Sequence, residues 1–384
     1  MEFLGQTLHD AENAGLRRTL RSLTPYSPTR ALLNGREVTL FCTNNYLGLT
    51  HHPRVIASAA EALRTYGAGS GASRLVSGHF PLHNELEESI ARFKGCARAL
   101  VFPAGYMANI AVISALAGRG DVVFCDRLCH ASLLDGCRLS GAKILRFAHN
   151  DIASLRRLVA QHRGRRRLLV TEGVFSMDGD TAPLAELYAV AREDSLILIV
   201  DDAHGTGVLG PGGRGTLAAQ GIPVNDVVLT GTLSKALASL GGFVAGSDVL
   251  VDFVLNSARP FIFTTALPPA SAAAALTAFE LLLEEPLLLG RLWENVGRMR
   301  DGLAARCFFT AGTSPIMPVI VGDPARALSL SERLLERGYF VPAIRPPSVP
   351  HGTARLRITV SAAHTCGEID GFLAAFSEAM EDGI

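Results

Sequence analysis

The chain has no excess of charge of either sign: among 384 residues, 36 Lys and Arg face 36 Asp and Glu. That balance argues against a general binder of nucleic acid or anionic membrane, which needs basic excess. No CxxC pair occurs among the seven cysteines, and the odd number indicates neither a disulfide framework nor a zinc knuckle. Free thiols of this kind suit a reducing cytosol. No long apolar run goes unbroken. The richest, residues 266–289, is interrupted by Pro268, Pro269, Glu280, Glu284, Glu285 and Pro286, whereas a membrane span needs about 20 nearly continuous apolar residues. The opening MEFLGQTLHD lacks an apolar h-region, so no signal peptide and a cytoplasmic location are expected. No period of 20–50 residues recurs, which excludes solenoids and propellers. The glycine-rich GAGSG at 67–71 has no buried strand before it, so the dinucleotide-binding pattern of a dehydrogenase is missing.

What is present is an ordinary globular composition, 48% hydrophobic with 38 glycines, at a length suited to about two domains. Residues 1 to about 25 repeat apolar positions at helical spacing, up to Pro25 and Pro28. Residues 37–42 (EVTLFC) alternate like a short strand. From about 50 to 265, β-rich runs at 97–102, 121–125, 143–147, 167–171, 196–201 and 227–230 each lead into glycine or polar residues and then a helix-like segment. Continuous apolar runs with helical crossovers predict a mostly parallel sheet covered on both faces. A long Ala/Leu helix follows Pro268-Pro269, and strands are expected at 317–321 and 355–360. The expected organisation is an N-terminal segment 1–48, a large α/β domain over 49–288, and a smaller α/β domain over 289–384 built with both chain ends.

Ligands of open α/β sheets sit at the carboxyl ends of the strands. One run ends in Asp201-Asp202-Ala203-His204-Gly205. A carboxylate leaving a buried strand needs a charged or hydrogen-bonded partner; an N-cap role for Asp201 is the alternative. Another run leads into Gly231-Thr232-Leu233-Ser234-Lys235-Ala236. An isolated lysine is most often a surface residue. Here the neighbouring N–H and hydroxyl groups could hold a phosphate, and lysine is the residue that condenses with carbonyls. A strand-end Asp followed 34 residues later by a strand-end Lys is what pyridoxal phosphate chemistry needs, one to keep the pyridine nitrogen charged and one to hold the aldehyde. Gly105-Tyr106 opens a helix, as a phosphate site would, or forms an ordinary turn. His130 in DRLCHAS could stack on a cofactor ring or serve as a hydrogen-bonded structural histidine. The segment EGVFSMDG (172–179) supplies a further polar strand end.

Eight ordered motifs then carry a resemblance over essentially the whole chain: NNYLGL (44–49), GSGASRLVSG (69–78), HNELE (83–87), DRLCHASLLDG (126–136), TEGVFSMDGD (171–180), DDAHGTGVLG (201–210), GTLSKA (231–236) and RPFIFTTALPP (259–269). The chain resembles the α-oxoamine synthase family of fold-type I pyridoxal 5'-phosphate enzymes. HGTG (204–207) and AIRPPSVPHGTARLRITVSAAHT (343–365) resemble the branch that serves biotin synthesis by condensing L-alanine with a pimeloyl thioester of coenzyme A or acyl carrier protein. Glycine C-acetyltransfer is the nearest alternative within the family, and a non-catalytic scaffold homologue would usually lack the lysine.

The resemblance implies that Lys235 holds the cofactor, Asp201 pairs with its ring nitrogen and His130 stacks on the ring. Ser176 and His204 would approach the phenolic oxygen. Gly105, Tyr106, Thr232 and Ser234 would lie near the phosphate. Thr264 would reach the phosphate of a neighbouring subunit's cofactor, which implies a homodimer. Arg357 would clamp the amino-acid carboxylate, with Asn44 nearby, and Arg17 and Ser348 would meet the acyl substrate.

Overall fold

The computed structural model describes residues 1–308 and 312–382. Residues 309–311 and 383–384, part of the expected 289–384 domain, lie outside the described residues. The chain divides into two compact units. The larger holds Leu49–Ser176 and Asp180–Leu289; the smaller holds Met1–Gly48, Met177–Gly179 and Gly290–Ile384.

The larger unit is built on a seven-stranded sheet. Its strands are β1 (Arg98–Phe102), β2 (Val122–Asp126), β3 (Lys143–Phe147), β4 (Arg167–Glu172), β5 (Ile197–Asp201), β6 (Val228–Thr232) and β7 (Gly242–Gly246), in the spatial order β1-β7-β6-β5-β4-β2-β3. All are parallel except β7, which runs antiparallel to β1 and β6. The mostly parallel α/β sheet expected from the continuous apolar runs is therefore present. Val123, Cys125, Leu168, Val170 and Ile199 pack in one core with Ala108, Ala111 and Val112 of helix Gly105–Leu116.

β7 carries no strand signal in the sequence. GFVAG carries too much glycine to look like a strand, but the fold demands it. A Cβ on Gly242 would lie 2.4 Å from Gly105 Cα, and one on Gly231 2.4 Å from the Phe243 ring. These glycines let β7 press between β6 and the start of the helix.

Parallel register aligns the strand ends. Glu172 of β4 pairs with Asp201 of β5, and Asp201 with Thr230 of β6. Polar residues of neighbouring strands thus emerge side by side at one edge, where helix N-termini also begin.

The smaller unit contains a four-stranded sheet of Leu23–Pro25, Arg30–Leu33, Arg36–Leu40 and Tyr339–Phe340, and a three-stranded antiparallel sheet of Ile316–Gly322, Ala354–Thr359 and Ala343–Ile344. Helix Cys366–Glu381 starts on a capping box of Thr365 and Glu368, which satisfies two of the helix's orphan donors. The N-terminal helix is shorter than its periodicity suggested, ending at Asn13. Gly15 turns into the left-handed region, and the N–H groups of Leu16 and Arg17 both return to the Ala11 carbonyl. Leu20 is fully exposed, and Pro25 closes a strand rather than a helix. No helix among the described residues is long and apolar enough to cross a membrane.

Candidate active site

Three loops at the carboxyl edge of the large sheet gather most of the candidate residues. β5 delivers Asp201, which is buried. Its Oδ2 accepts a hydrogen bond from Asn109 Nδ2 at 2.7 Å, and its Oδ1 accepts one from the Ala203 N–H at 2.9 Å. A carboxylate so held keeps one orientation and is paid for as a buried charge. It is not a helix N-cap, because residues 202–206 form a turn, not a helix.

Past β6, Lys235 is half-buried, and its Nζ lies 2.8 Å from Nε2 of the buried His204. Thr232 Oγ1 donates to the Gly241 carbonyl at 2.9 Å and accepts from the Ser234 N–H at 3.1 Å. Ser234 Oγ accepts from the Gly241 N–H at 3.1 Å. This cross-bonding fixes the turn that presents Lys235.

Beside that turn, helix Gly105–Leu116 begins with Ala104 as N-cap and no capping side chain. A Cβ on Gly105 would come within 3.2 Å of Thr232 Cβ, so glycine lets the helix start close against the β6 hydroxyls. An uncapped helix N-terminus beside hydroxyl groups suits a phosphate.

His130 sits at the N-cap of helix Ala131–Ser140 and is exposed. Ser132 Oγ donates to His130 Nδ1 at 2.7 Å and accepts from Asn109 Nδ2 at 2.9 Å. The His130 N–H donates to Glu172 Oε1 at 2.6 Å. A run of hydrogen bonds, His130–Ser132–Asn109–Asp201, thus links two expected site residues. Thr230 Oγ1 completes it by donating to Asn109 Oδ1 at 2.6 Å. Burial of its inner side holds the His130 imidazole below its ordinary pKa, opposed by Asp201 and reinforced by Lys235. Burial and the neighbouring Asp201 charge push the Glu172 carboxyl well above the carboxylate range.

Asn109, Ser132, Glu172 and Thr230 were not among the expected site residues. The readable signal was Asn109, one amide in the apolar run MANIAVISAL; its direction along the sheet edge needs the fold.

Tyr106 is exposed, donates its hydroxyl to Asp135, and meets the His130 ring edge-on at 6.2 Å between centroids. Ser176 is half-buried at the end of its loop. Thr264 is half-buried just before Thr265, which bridges Ser73.

The remaining candidates belong to the smaller unit. Arg357 is buried on strand Ala354–Thr359, and its Nη2 donates to Asn44 Oδ1 at 3.1 Å and reaches Tyr46 Oη at 3.4 Å. Arg17 is exposed and pairs with Glu12 at 2.5 Å. It is Arg18, not Arg17, whose guanidinium reaches Ser348 Oγ, at 3.4 Å.

The donor set fits pyridoxal 5'-phosphate: an amine, a fixed carboxylate, an exposed imidazole, and a helix start cleared by glycine, all within the larger unit.

The chain belongs to the aminotransferase class I and II family, whose model matches residues 36–376. Its curated relatives narrow that class to the 8-amino-7-oxononanoate synthases. The protein of that name from Anaeromyxobacter dehalogenans (strain 2CP-1 / ATCC BAA-258) is 47% identical over 100% of this chain and 96% of its own. A protein of Desulforudis audaxviator (strain MP104C), provisionally given the same name, is 70% identical over 99% of both chains. Among solved structures, a serine palmitoyltransferase from S. paucimobilis with bound PLP–myriocin aldimine superposes with a TM-score of 0.94 at 37% identity, covering 99% of this chain and 97% of the other. The 8-amino-7-oxononanoate synthase from Francisella tularensis gives 0.77 at 29% identity, covering 90% and 98%.

Proposed function

We propose that this chain is a pyridoxal 5'-phosphate-dependent acyltransferase of biotin synthesis. It joins the α-carbon of L-alanine to the carbonyl of a pimeloyl thioester, releasing carbon dioxide and the free thiol carrier and leaving 8-amino-7-oxononanoate. The observation that carries the chemistry is the Lys235 amine held 2.8 Å from His204, on the loop next to the one that supplies the fixed Asp201 carboxylate. The choice of substrates rests on the name of the relatives at 47–70% identity.

The cofactor, when bound, supplies an electron sink for the pair left on the substrate α-carbon. Lys235 would hold it through its amine and is placed to take the substrate α-proton at Nζ. Asp201 would pair with the ring nitrogen, its carboxylate held in one orientation by Asn109 and the Ala203 N–H. His130 would stack on the ring, and Ser176 and His204 would approach the phenolic oxygen. Gly105, Tyr106, Thr232 and Ser234 bind the phosphate.

Arg357 binds the alanine carboxylate through its planar fork, and Asn44 orients that fork. Arg17 and Ser348 take the acyl substrate, with Arg18 as the nearer partner of Ser348. A cavity of about 610 Å³ in the smaller unit is lined by Arg17, Arg18, Arg21 and Arg345; Glu12 and Glu332, also in the lining, pair with Arg17 and Arg21, and the remaining basic excess suits an anionic carrier. Thr264 completes the phosphate site of a second subunit, so the working form is a homodimer in the cytoplasm.

The test is a product assay by mass spectrometry on the cofactor-loaded protein. L-alanine with pimeloyl-CoA or pimeloyl-acyl carrier protein should yield 8-amino-7-oxononanoate. Product from glycine with acetyl-CoA instead would move the enzyme to glycine C-acetyltransfer. Product from L-serine with palmitoyl-CoA instead would favour the activity of its structural neighbours.

A further inference from the structure

Lys94 is the last residue of helix Pro81–Lys94, and its side chain is fully buried against the turn that bears His204. Its ammonium spends all three protons. It donates to Asp202 Oδ2 at 2.8 Å, Thr206 Oγ1 at 2.7 Å and the Arg214 carbonyl at 2.8 Å.

Asp202 is as fully engaged. Thr206 Oγ1 donates to its Oδ2 at 2.9 Å, while its Oδ1 accepts from the Thr216 N–H at 3.0 Å and the Thr216 hydroxyl at 2.6 Å. The Asp202 carbonyl takes the N–H groups of Gly205 and Thr206, closing the turn around His204. Glycines make the room: a Cβ on Gly205 would fall 2.1 Å from Asp202 Oδ1, and one on Gly215 1.9 Å from Asp202 Oδ2.

A buried ion pair adds little stability over apolar side chains of similar volume. What it adds is direction, since each hydrogen bond fixes one atom. The atoms fixed here are both ends of residues 202–206, and the residue between them, His204, meets Lys235.

We infer that Lys94 is a positioning residue: through Asp202 and Thr206 it holds His204 against the Lys235 amine. The inference rests on the assignment of Lys235 as the cofactor-holding lysine and not on the choice of acyl substrate.

The experiment uses the cofactor-loaded Lys94→Met protein, with Thr206→Val as a milder lesion should the first fail to fold. The visible absorbance of bound pyridoxal 5'-phosphate is titrated with pH in the absence of substrate, beside the product assay and thermal unfolding. With His204 no longer held 2.8 Å from Nζ, the midpoint of the spectral titration shifts by about half a pH unit or more, because a hydrogen-bonding group beside the titrating nitrogen is lost. Turnover falls roughly ten- to a hundred-fold, as expected of a displaced catalytic group. A midpoint unchanged from the wild type in a variant whose melting temperature has fallen would overturn the inference and leave Lys94 a purely structural residue. Because the titration uses no substrate, a wild type that made a different product would refute the proposed reaction without touching this test.

Discussion

His149 is caught between two carboxylates, and its removal is the sharpest test of how the site loops are held. Its Nδ1 lies 3.0 Å from Asp126 Oδ1 and its Nε2 2.8 Å from Asp180 Oδ2. Asp126 ends β2 ahead of the loop carrying His130, and Asp180 follows the loop carrying Ser176. Burial pushes the imidazole down, but the two carboxylates more than reverse this and raise it from 6.5 to about 10. A raised folded-state value stabilises fully below the unfolded pKa of 6.5, then progressively less until pH passes about 10. At about 1.4 kcal/mol per pH unit that interval is worth roughly 5 kcal/mol. Because 20% of the side chain is exposed, solvent screening reduces the working figure to about 3 kcal/mol. Urea unfolding of wild type and His149→Gln, followed by far-ultraviolet circular dichroism, should show a gap of about 3 kcal/mol near pH 6. That gap should close to within about 1 kcal/mol near pH 10. A gap that stays constant across this range, or widens with pH, would refute a charged His149 as the clamp.

Three further outcomes follow from the site. Lys235→Ala should retain cofactor noncovalently but lose turnover by orders of magnitude; near-normal product formation by mass spectrometry would sink its assignment. Asn109→Ala removes the donor to Asp201 Oδ2 and should lower kcat about ten- to a hundred-fold, the worth of one hydrogen bond to a charged group; an unchanged kcat with unchanged circular dichroism would remove Asn109 from the site. Arg357→Lys keeps the charge but loses the fork, so KM for L-alanine should rise about ten-fold or more while the affinity for pyridoxal 5'-phosphate, read by fluorescence titration, stays level.

The likeness to serine palmitoyltransferase, at a TM-score of 0.94, and the identity to the 8-amino-7-oxononanoate synthases, up to 70%, point to different acyl substrates. A superposition scores the backbone path, which places a lysine, an aspartate and an uncapped helix start equally well for either acyl transfer. Choice of substrate lies in side chains that touch it, and identity counts those. The segment 343–365, which carries Ser348, is where such choice is expected, and the product assay tests it with L-serine and palmitoyl-CoA.

How much was legible in the sequence differs between residues for physical reasons. Lys235 was readable because a lysine among glycine and hydroxyl residues just past a buried strand is unusual, and Asp201 because it ends the apolar run 196–200, where a charge stands out. The mostly parallel sheet was readable for the same reason, its strands being covered on both faces. β7 was hidden because the glycines that let it approach Gly105 and Phe243 also remove the apolar signature of a strand. The N-terminal helix was overextended because Leu16 and Leu20 keep helical spacing beyond Gly15, where the backbone turns out of the helix. Asn109 and Lys94 were hidden differently. Each is a polar residue of a helix, and a helix residue has no partner until the tertiary fold selects the face it turns inward. Asn109 meets an aspartate 92 positions later and Lys94 one 108 positions later. Such pairings appear only when parallel register brings successive strand ends to one edge. The residues with the chemistry can therefore be read along the chain, while those that aim them emerge only across it.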